Sequence, residues 1–174
     1  MKRFTNKAGY GQVEPNHLSA QRTGQIYAQL PAASSISVLE NGMFVKYDYA
    51  NNEVNFTGEG EWMLVFNEVK LYDDDHRYYT DKSGLYAGYA MKTSDFVDGV
   101  MVPRVFKTNV GDIMTTNCVR GLPSEDAANV KYFAVANDGY LTMANDASAE
   151  MVWKVVKLYT MPDGQAGFKL QRIK

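Results

Sequence analysis

The densest group of chemistry-bearing side chains in this sequence is Leu71-Tyr72-Asp73-Asp74-Asp75-His76-Arg77, three consecutive carboxylates beside an imidazole. Carboxylate oxygens with a ring nitrogen are the ligands of a hard cation or a transition metal. The spacing argues against a built site. Successive side chains on an extended chain point to opposite sides, and the Ca²⁺ loop of a helix-loop-helix site needs a Gly and a terminal Glu that this run lacks. Asp73, Asp74, Asp75 and His76 are therefore read as a polar turn between strands that could meet a cation, with no resident metal or cofactor expected.

Nucleophilic catalysis has few parts to draw on. The two histidines are His17 and His76, and neither sits in a recognisable nucleophile setting. Cys118 follows Thr115-Thr116-Asn117 in a predicted strand, where a lone Cys is usually a small core residue. A Cys-His pair would require one of those histidines to meet it in space. Gly-x-Ser-x-Gly, His-Glu-x-x-His, a phosphate-cradling Gly-rich loop and Cys-x-x-Cys do not occur. With 20 Asp and Glu residues, pairs of carboxylates for glycoside hydrolysis can be drawn anywhere and carry no signal. The expected function is non-enzymatic, with no catalytic residues.

The aromatic load is more informative: 12 Tyr, 8 Phe and 2 Trp, residues that suit pleated, half-buried surfaces. Tyr78, Tyr79, Tyr86 and Tyr89, with Tyr47 and Tyr49, could form a platform for a glycan or for another protein, because Tyr offers a large contact area at low entropic cost. The elements that would position such residues read as strands. In Met43-Phe44-Val45-Lys46-Tyr47-Asp48-Tyr49 the apolar residues alternate with Lys46 and Asp48, which predicts a strand with one wet face. Ala50 to Glu53 turns it and Val54 to Phe56 returns. A second hairpin, Tyr132 to Ala136 answered by Tyr140 to Met143, turns on Asn137-Asp138-Gly139, whose Asp-Gly readily supplies positive φ. A third runs from Val152 to Leu158, turns near Met161 to Gly164 and returns through Gly167 to Leu170. Further strands are predicted at Trp62 to Leu71, Arg77 to Tyr89, Val102 to Lys107 and Asp112 to Val119. The best helical stretch is short, Ser124 to Asn129, where Ser124 could cap. The fold class is all-β: a mainly antiparallel sandwich or barrel-like domain with minor helix, behind an extended N-terminal arm.

Length and charge bound the function classes. At 174 residues, with 45% hydrophobic and 22% charged residues, one domain is expected. A net charge of −2 provides no whole-molecule field for nucleic acid or an anionic membrane. One Cys excludes an internal disulfide. The opening MKRFTNKAGYGQVEPNH has no apolar signal-peptide core, and no stretch approaches the about 18 apolar residues that span a bilayer, so synthesis in a cytoplasm is expected.

Residues 1–35 differ in composition from the rest. They carry Lys2, Arg3, Lys7 and Arg22 against Glu14 and have few large apolar side chains, so they read as a polar, basic arm that cannot bury itself, preceding a β domain at 36–174. Lys2, Arg3, Lys7, Tyr10, Arg22 and Tyr27 are the candidate partner-binding residues of that arm. Charge is also uneven further along. Residues 48–81 hold nine acids and two bases, whereas residues 151–174 hold five bases and one acid. Opposite patches of this kind can bring a chain to copies of itself or to an acidic shell.

Three stretches, Gly9-Tyr10-Gly11-Gln12-Val13-Glu14-Pro15-Asn16-His17-Leu18, Gly24-Gln25-Ile26-Tyr27-Ala28-Gln29-Leu30-Pro31 and Leu39-Glu40-Asn41-Gly42-Met43-Phe44-Val45-Lys46-Tyr47-Asp48, resemble the small structural proteins of tailed bacteriophages, in particular the capsid decoration or auxiliary type. Val102-Pro103-Arg104-Val105-Phe106-Lys107-Thr108-Asn109-Val110-Gly111-Asp112 adds to the likeness. The resemblance is one of style over most of the chain rather than of a diagnostic motif, and it brings no catalytic residues. It implies a cement role in the virion: the protein, made in the host cytoplasm, binds the outer surface of the assembled head shell and stabilises it, docking through its arm. The implied partners are the major capsid protein, copies of the chain itself, or both, and no nucleic acid, membrane or small-molecule ligand. The alternative is a receptor- or glycan-binding β module of a phage fibre or tail.

Overall fold

Short apolar runs broken by Gly, Asn and Asp leave this chain few ways to bury its aromatic residues other than in paired strands. A computed structural model describes residues 11, 13–14, 30–67, 90–92, 98–121, 124–161 and 164–174. Among them the strands are β1 (Val13–Glu14), β2 (Val38–Glu40), β3 (Phe44–Asp48), β4 (Glu53–Asn55), β5 (Met63–Val65), β6 (Ala90–Lys92) and β7 (Val105–Phe106). They continue as β8 (Ile113–Thr116), β9 (Val119–Arg120), β10 (Tyr132–Val135), β11 (Leu141–Ala144), β12 (Val152–Thr160) and β13 (Ala166–Arg172). The fold is all-β. The stretch Ser124–Asn129 forms the expected helical element as a 3-10 helix.

The strands pair into a seven-stranded sheet of order β1-β8-β13-β12-β10-β11-β9, a four-stranded sheet of order β4-β3-β5-β7, and the pair β2-β6. All pairings within these sheets are antiparallel except β11 with β9, where Leu141 lies opposite Val119. The three hairpins read from the sequence are β3-β4, β10-β11 and β12-β13. Asn52 turns the first with a φ of 52°, and Gly139 closes the second with a φ of 79°. Gly139 is required there for a second reason: a Cβ would lie 2.5 Å from the Phe44 carbonyl oxygen. The Gly139 carbonyl in turn accepts the Phe44 N–H at 2.8 Å, so this turn is seated on the start of β3.

The four-stranded sheet separates two cores. Phe44 and Leu64 face the seven-stranded sheet and pack with Met114, Phe133, Leu141, Trp153, Phe168 and Leu170. Rings meet across this layer, Phe44 with Trp153 at 5.9 Å and Phe133 with Phe168 at 4.9 Å between centroids. The opposite face, with Val45, Tyr47, Met63 and Val65, packs with Ile36, Leu39, Met101, Cys118 and Tyr140. The wet face expected for β3 is accordingly dry at Phe44, which is fully buried; only Lys46 and Asp48 on that face keep partial access.

Parts of the stretch read as an arm belong to this architecture. Val13 pairs with Thr116 and joins the first core. Ala33 and Ile36 lie together in the second, while Ala32 and Ala33 donate backbone N–H groups to Met101 and Val54 at 2.7 and 2.9 Å. Ala33 and Ile36, on either side of the exposed Ser34 and Ser35, thus share one core.

Candidate functional site

The β3-β4 turn is built by Asp48, whose carboxylate accepts the Asn51 N–H at 3.1 Å and the side-chain amides of Asn51 and Asn55 at 2.9 and 3.1 Å. Past β4 the Asn55 amide oxygen accepts the Thr57 N–H at 3.0 Å, and the chain crosses so close to β3 that a Cβ on Gly58 would lie 2.2 Å from the Tyr47 carbonyl oxygen. This crossing sets Phe56, Thr57 and Gly58 along one wall of a cleft of about 460 Å³, with Lys46 and Trp62. The facing wall belongs to the other sheet: Val135 from β10, Asn137 from its turn, and Ala149, Glu150 and Met151 ahead of β12.

Two polar groups meet across the cleft. The Lys46 ammonium donates to Glu150 Oε2 at 2.8 Å and stands 4.9 Å from the centre of the buried Trp62 ring. An ammonium over an indole is held by the ring quadrupole as well as by the carboxylate. The Glu150 side chain is 57% exposed, and Thr57 and Asn137 in the same lining are exposed as well. The arrangement presents a donor and an acceptor side by side above apolar walls.

A second polar cluster runs from the buried Glu40 to the partly exposed Asp138. Glu40 at the end of β2 is buried, and its two carboxylate oxygens accept the Tyr140 hydroxyl at 2.7 Å and the Gly11 N–H. The Arg120 guanidinium lies 3.4 Å from the Tyr140 ring centre and 3.5 Å from Asp138. Burial first, and then the Glu40 carboxylate, push the Tyr140 phenol well above its ordinary range. Cys118 is buried in the second core, and its sulfur would lie 2.8 Å from a Cβ on Gly11. Its thiol is packed rather than presented to a reagent.

The third feature is a surface. β10 pairs only with Val152 to Lys154 of β12, so residues 156–160, which pair with β13 on one side, have no neighbouring strand on the other among the described residues. A bulge between Val155 and Lys157 twists this edge. Val156 and Leu158 are 51% and 49% exposed, next to exposed Lys154 and Lys157. An apolar strip framed by lysines thus lies on a strand edge whose backbone N–H and C=O groups face away from β13, with the bulge and the lysines guarding it against indiscriminate pairing.

Of the residues singled out by sequence, Lys2, Arg3, Lys7, Tyr10, His17, Arg22, Tyr27, Asp73, Asp74, Asp75, His76, Tyr78, Tyr79, Tyr86 and Tyr89 lie outside the described residues. The described residues contain no cluster of His, Cys, Asp and Glu able to hold a metal ion. The Tyr47 and Tyr49 rings meet tilted, 5.5 Å between centroids, but Tyr47 is buried and of the two only Tyr49, 63% exposed, offers a ring to solvent. Of the six tyrosines read as a platform, Tyr49 thus presents its ring to solvent and Tyr47 does not, and the other four lie outside the described residues. Sequence reasoning missed Lys46, Trp62 and Glu150 as a group, because Glu150 lies 104 positions from Lys46 and no local motif joins them.

The chain matches no protein-family model, no curated protein and no solved structure.

Proposed function

We propose that the protein is a non-enzymatic structural component of a phage particle, which binds the outside of the assembled capsid shell and stabilises it as a decoration or cement protein. The observation that carries this reading is the β12-β13 hairpin, where exposed Val156 and Leu158 lie among Lys154 and Lys157 in the most basic part of the chain. Such an edge suits a partner that offers an unpaired strand and acidic side chains, and the major capsid protein or another copy of this chain would supply them. The N-terminal sequence that resembles phage decoration proteins supports the same role, with Lys2, Arg3 and Lys7 as further contacts ahead of the docked Gly11. Repetition over a symmetric shell would multiply a modest contact into stable attachment.

The test is co-sedimentation with assembled shells that lack the protein. A Val156→Asp/Leu158→Asp chain and a chain without residues 2–10 keep β1 and both cores, so each is expected to remain folded. A loss of shell affinity of about tenfold or more in either variant is the expected result. Failure of the unaltered chain to bind shells, or undiminished binding by both variants, overturns the reading.

A further inference from the structure

We propose that the cleft between Lys46 and Glu150 is a binding site for a neutral saccharide. The cleft shares no residue with the β12 edge or the N-terminal residues assigned to shell docking. The cleft volume of about 460 Å³ falls within the ordinary span of small-molecule sites. Its walls come from two different sheets, so its shape is set by the packing of the fold rather than by one loop.

The chemistry of the lining selects the ligand. Lys46 and Glu150 neutralise one another at 2.8 Å, so neither an anion nor a cation meets an unpaired opposite charge in the cleft. A hydroxyl needs none, since it accepts from an ammonium and donates to a carboxylate at once. Neighbouring hydroxyls on a sugar ring therefore match the adjacent donor and acceptor, with the Thr57 hydroxyl and the Asn137 amide completing the rim. In the same lining the partly buried Phe56 and Val135 side chains offer apolar surface to the C–H face of the ring. A carbohydrate carries this combination of an apolar face and a hydroxyl edge. The proposal also differs from the expectation drawn from the Tyr residues, none of which lines the cleft.

The experiment is calorimetric titration of the full chain with glucose, galactose, mannose, N-acetylglucosamine and their common disaccharides, with inorganic phosphate and choline as charged probes. Saturable binding of at least one sugar is expected, weakened about tenfold in Glu150→Gln or Asn137→Ala. Both positions are exposed, and an unchanged urea midpoint in each variant shows that the fold is intact. The proposal is overturned if no sugar binds, if phosphate or choline binds more tightly than every sugar, or if sugar binding is the same in both variants as in the parent chain.

Discussion

Arg172, at the end of β13, places Nη2 2.8 Å from Oε1 of Glu61, joining residues 111 positions apart and tying the seven-stranded sheet to the segment that leads into β5. The same guanidinium donates through Nη1 to the Thr108 hydroxyl at 2.9 Å and to the Thr108 carbonyl, and through Nε to the Lys174 carbonyl at 2.9 Å. Glu61 also reaches Lys107 at 3.5 Å. A planar group with several fixed donors suits this convergence better than a lysine would. Arg172→Ala is expected to cost about 2–4 kcal/mol, because it strands the buried Thr108 carbonyl as well as removing the ion pair. Glu61→Gln, which keeps an acceptor in place, should cost about 1 kcal/mol. Urea unfolding measures both, and equal costs would show that the ion pair rather than the hydrogen-bond geometry holds the joint.

The buried Tyr140 sets an alkaline limit. Its phenol sits above the ordinary value of 10.0 because burial, and after it the Glu40 carboxylate, disfavour the phenolate. A group whose pKa is higher in the folded than in the unfolded chain lends stability that is whole below the unfolded value and drains as pH rises beyond it. The unfolding free energy should therefore fall above 10.0, the value at which the unfolded phenol begins to titrate. Tyr140→Phe leaves the Glu40 carboxylate short of a donor and should be less stable at neutral pH by about 1–3 kcal/mol. Its stability should decline less steeply in alkali, and parallel pH profiles for the two proteins would contradict the assignment.

Gly11 docks β1. A Cβ there would lie 2.7 Å from Glu40 Oε2, 2.8 Å from Cys118 Sγ and 2.9 Å from the Asn41 carbonyl oxygen, and the last is backbone that cannot swing aside. Gly11→Ala should free Val13 and Glu14 from β8 while leaving the β10-β12 pairing intact. Hydrogen exchange would show it as lost protection at Val13 with unchanged protection at Phe133. Retained protection at Val13 would mean that the slot relaxes around the methyl group.

Two surface carboxylates, Asp48 and Asp146, titrate below their ordinary range. Hydrogen bonds from Asn51 hold Asp48 below its ordinary 3.8, and bonds from Ser148 do the same for Asp146. Lowered carboxylate values lend stability that is present above 3.8 and is lost as pH falls through the folded value. In an NMR titration, Asn51→Ala should raise the Asp48 midpoint towards 3.8 and leave Asp146 unmoved. No change at Asp48 would assign its shift elsewhere.

The three hairpins were legible because each is a local event: a period-two run, a turn residue with the needed φ, and a returning run. Asn137-Asp138-Gly139 is the clearest case, since its Gly serves both the turn and the close approach to Phe44. Strands such as β2 and β9, of three and two residues, are too short to carry a period, and they exist because distant partners pair with them. The same limit applied to the face of β3. Alternation showed that Lys46 and Phe44 share a side, but the distant residues of the seven-stranded sheet, Trp153 among them, make that side dry at Phe44. The cleft was illegible for a related reason: its donor and its acceptor come from different sheets, and neither residue type is unusual in its own neighbourhood.

The position of β13 bears on how the chain reaches this state. It follows every other described strand in chain order, yet it lies inside the large sheet between β8 and β12. While a ribosome is still making the chain, β8 has its native neighbour on one side missing, and the β10-β11 hairpin can form early but has only half a layer to rest on. Closure must wait for β13, and it then bridges strands more than fifty residues apart, as with Phe168 opposite Thr116. Such late, non-local closure predicts slow, strongly cooperative folding in which the incomplete chain exposes strand edges to its neighbours. A cell making many copies at once would feel that exposure as a demand on its chaperones.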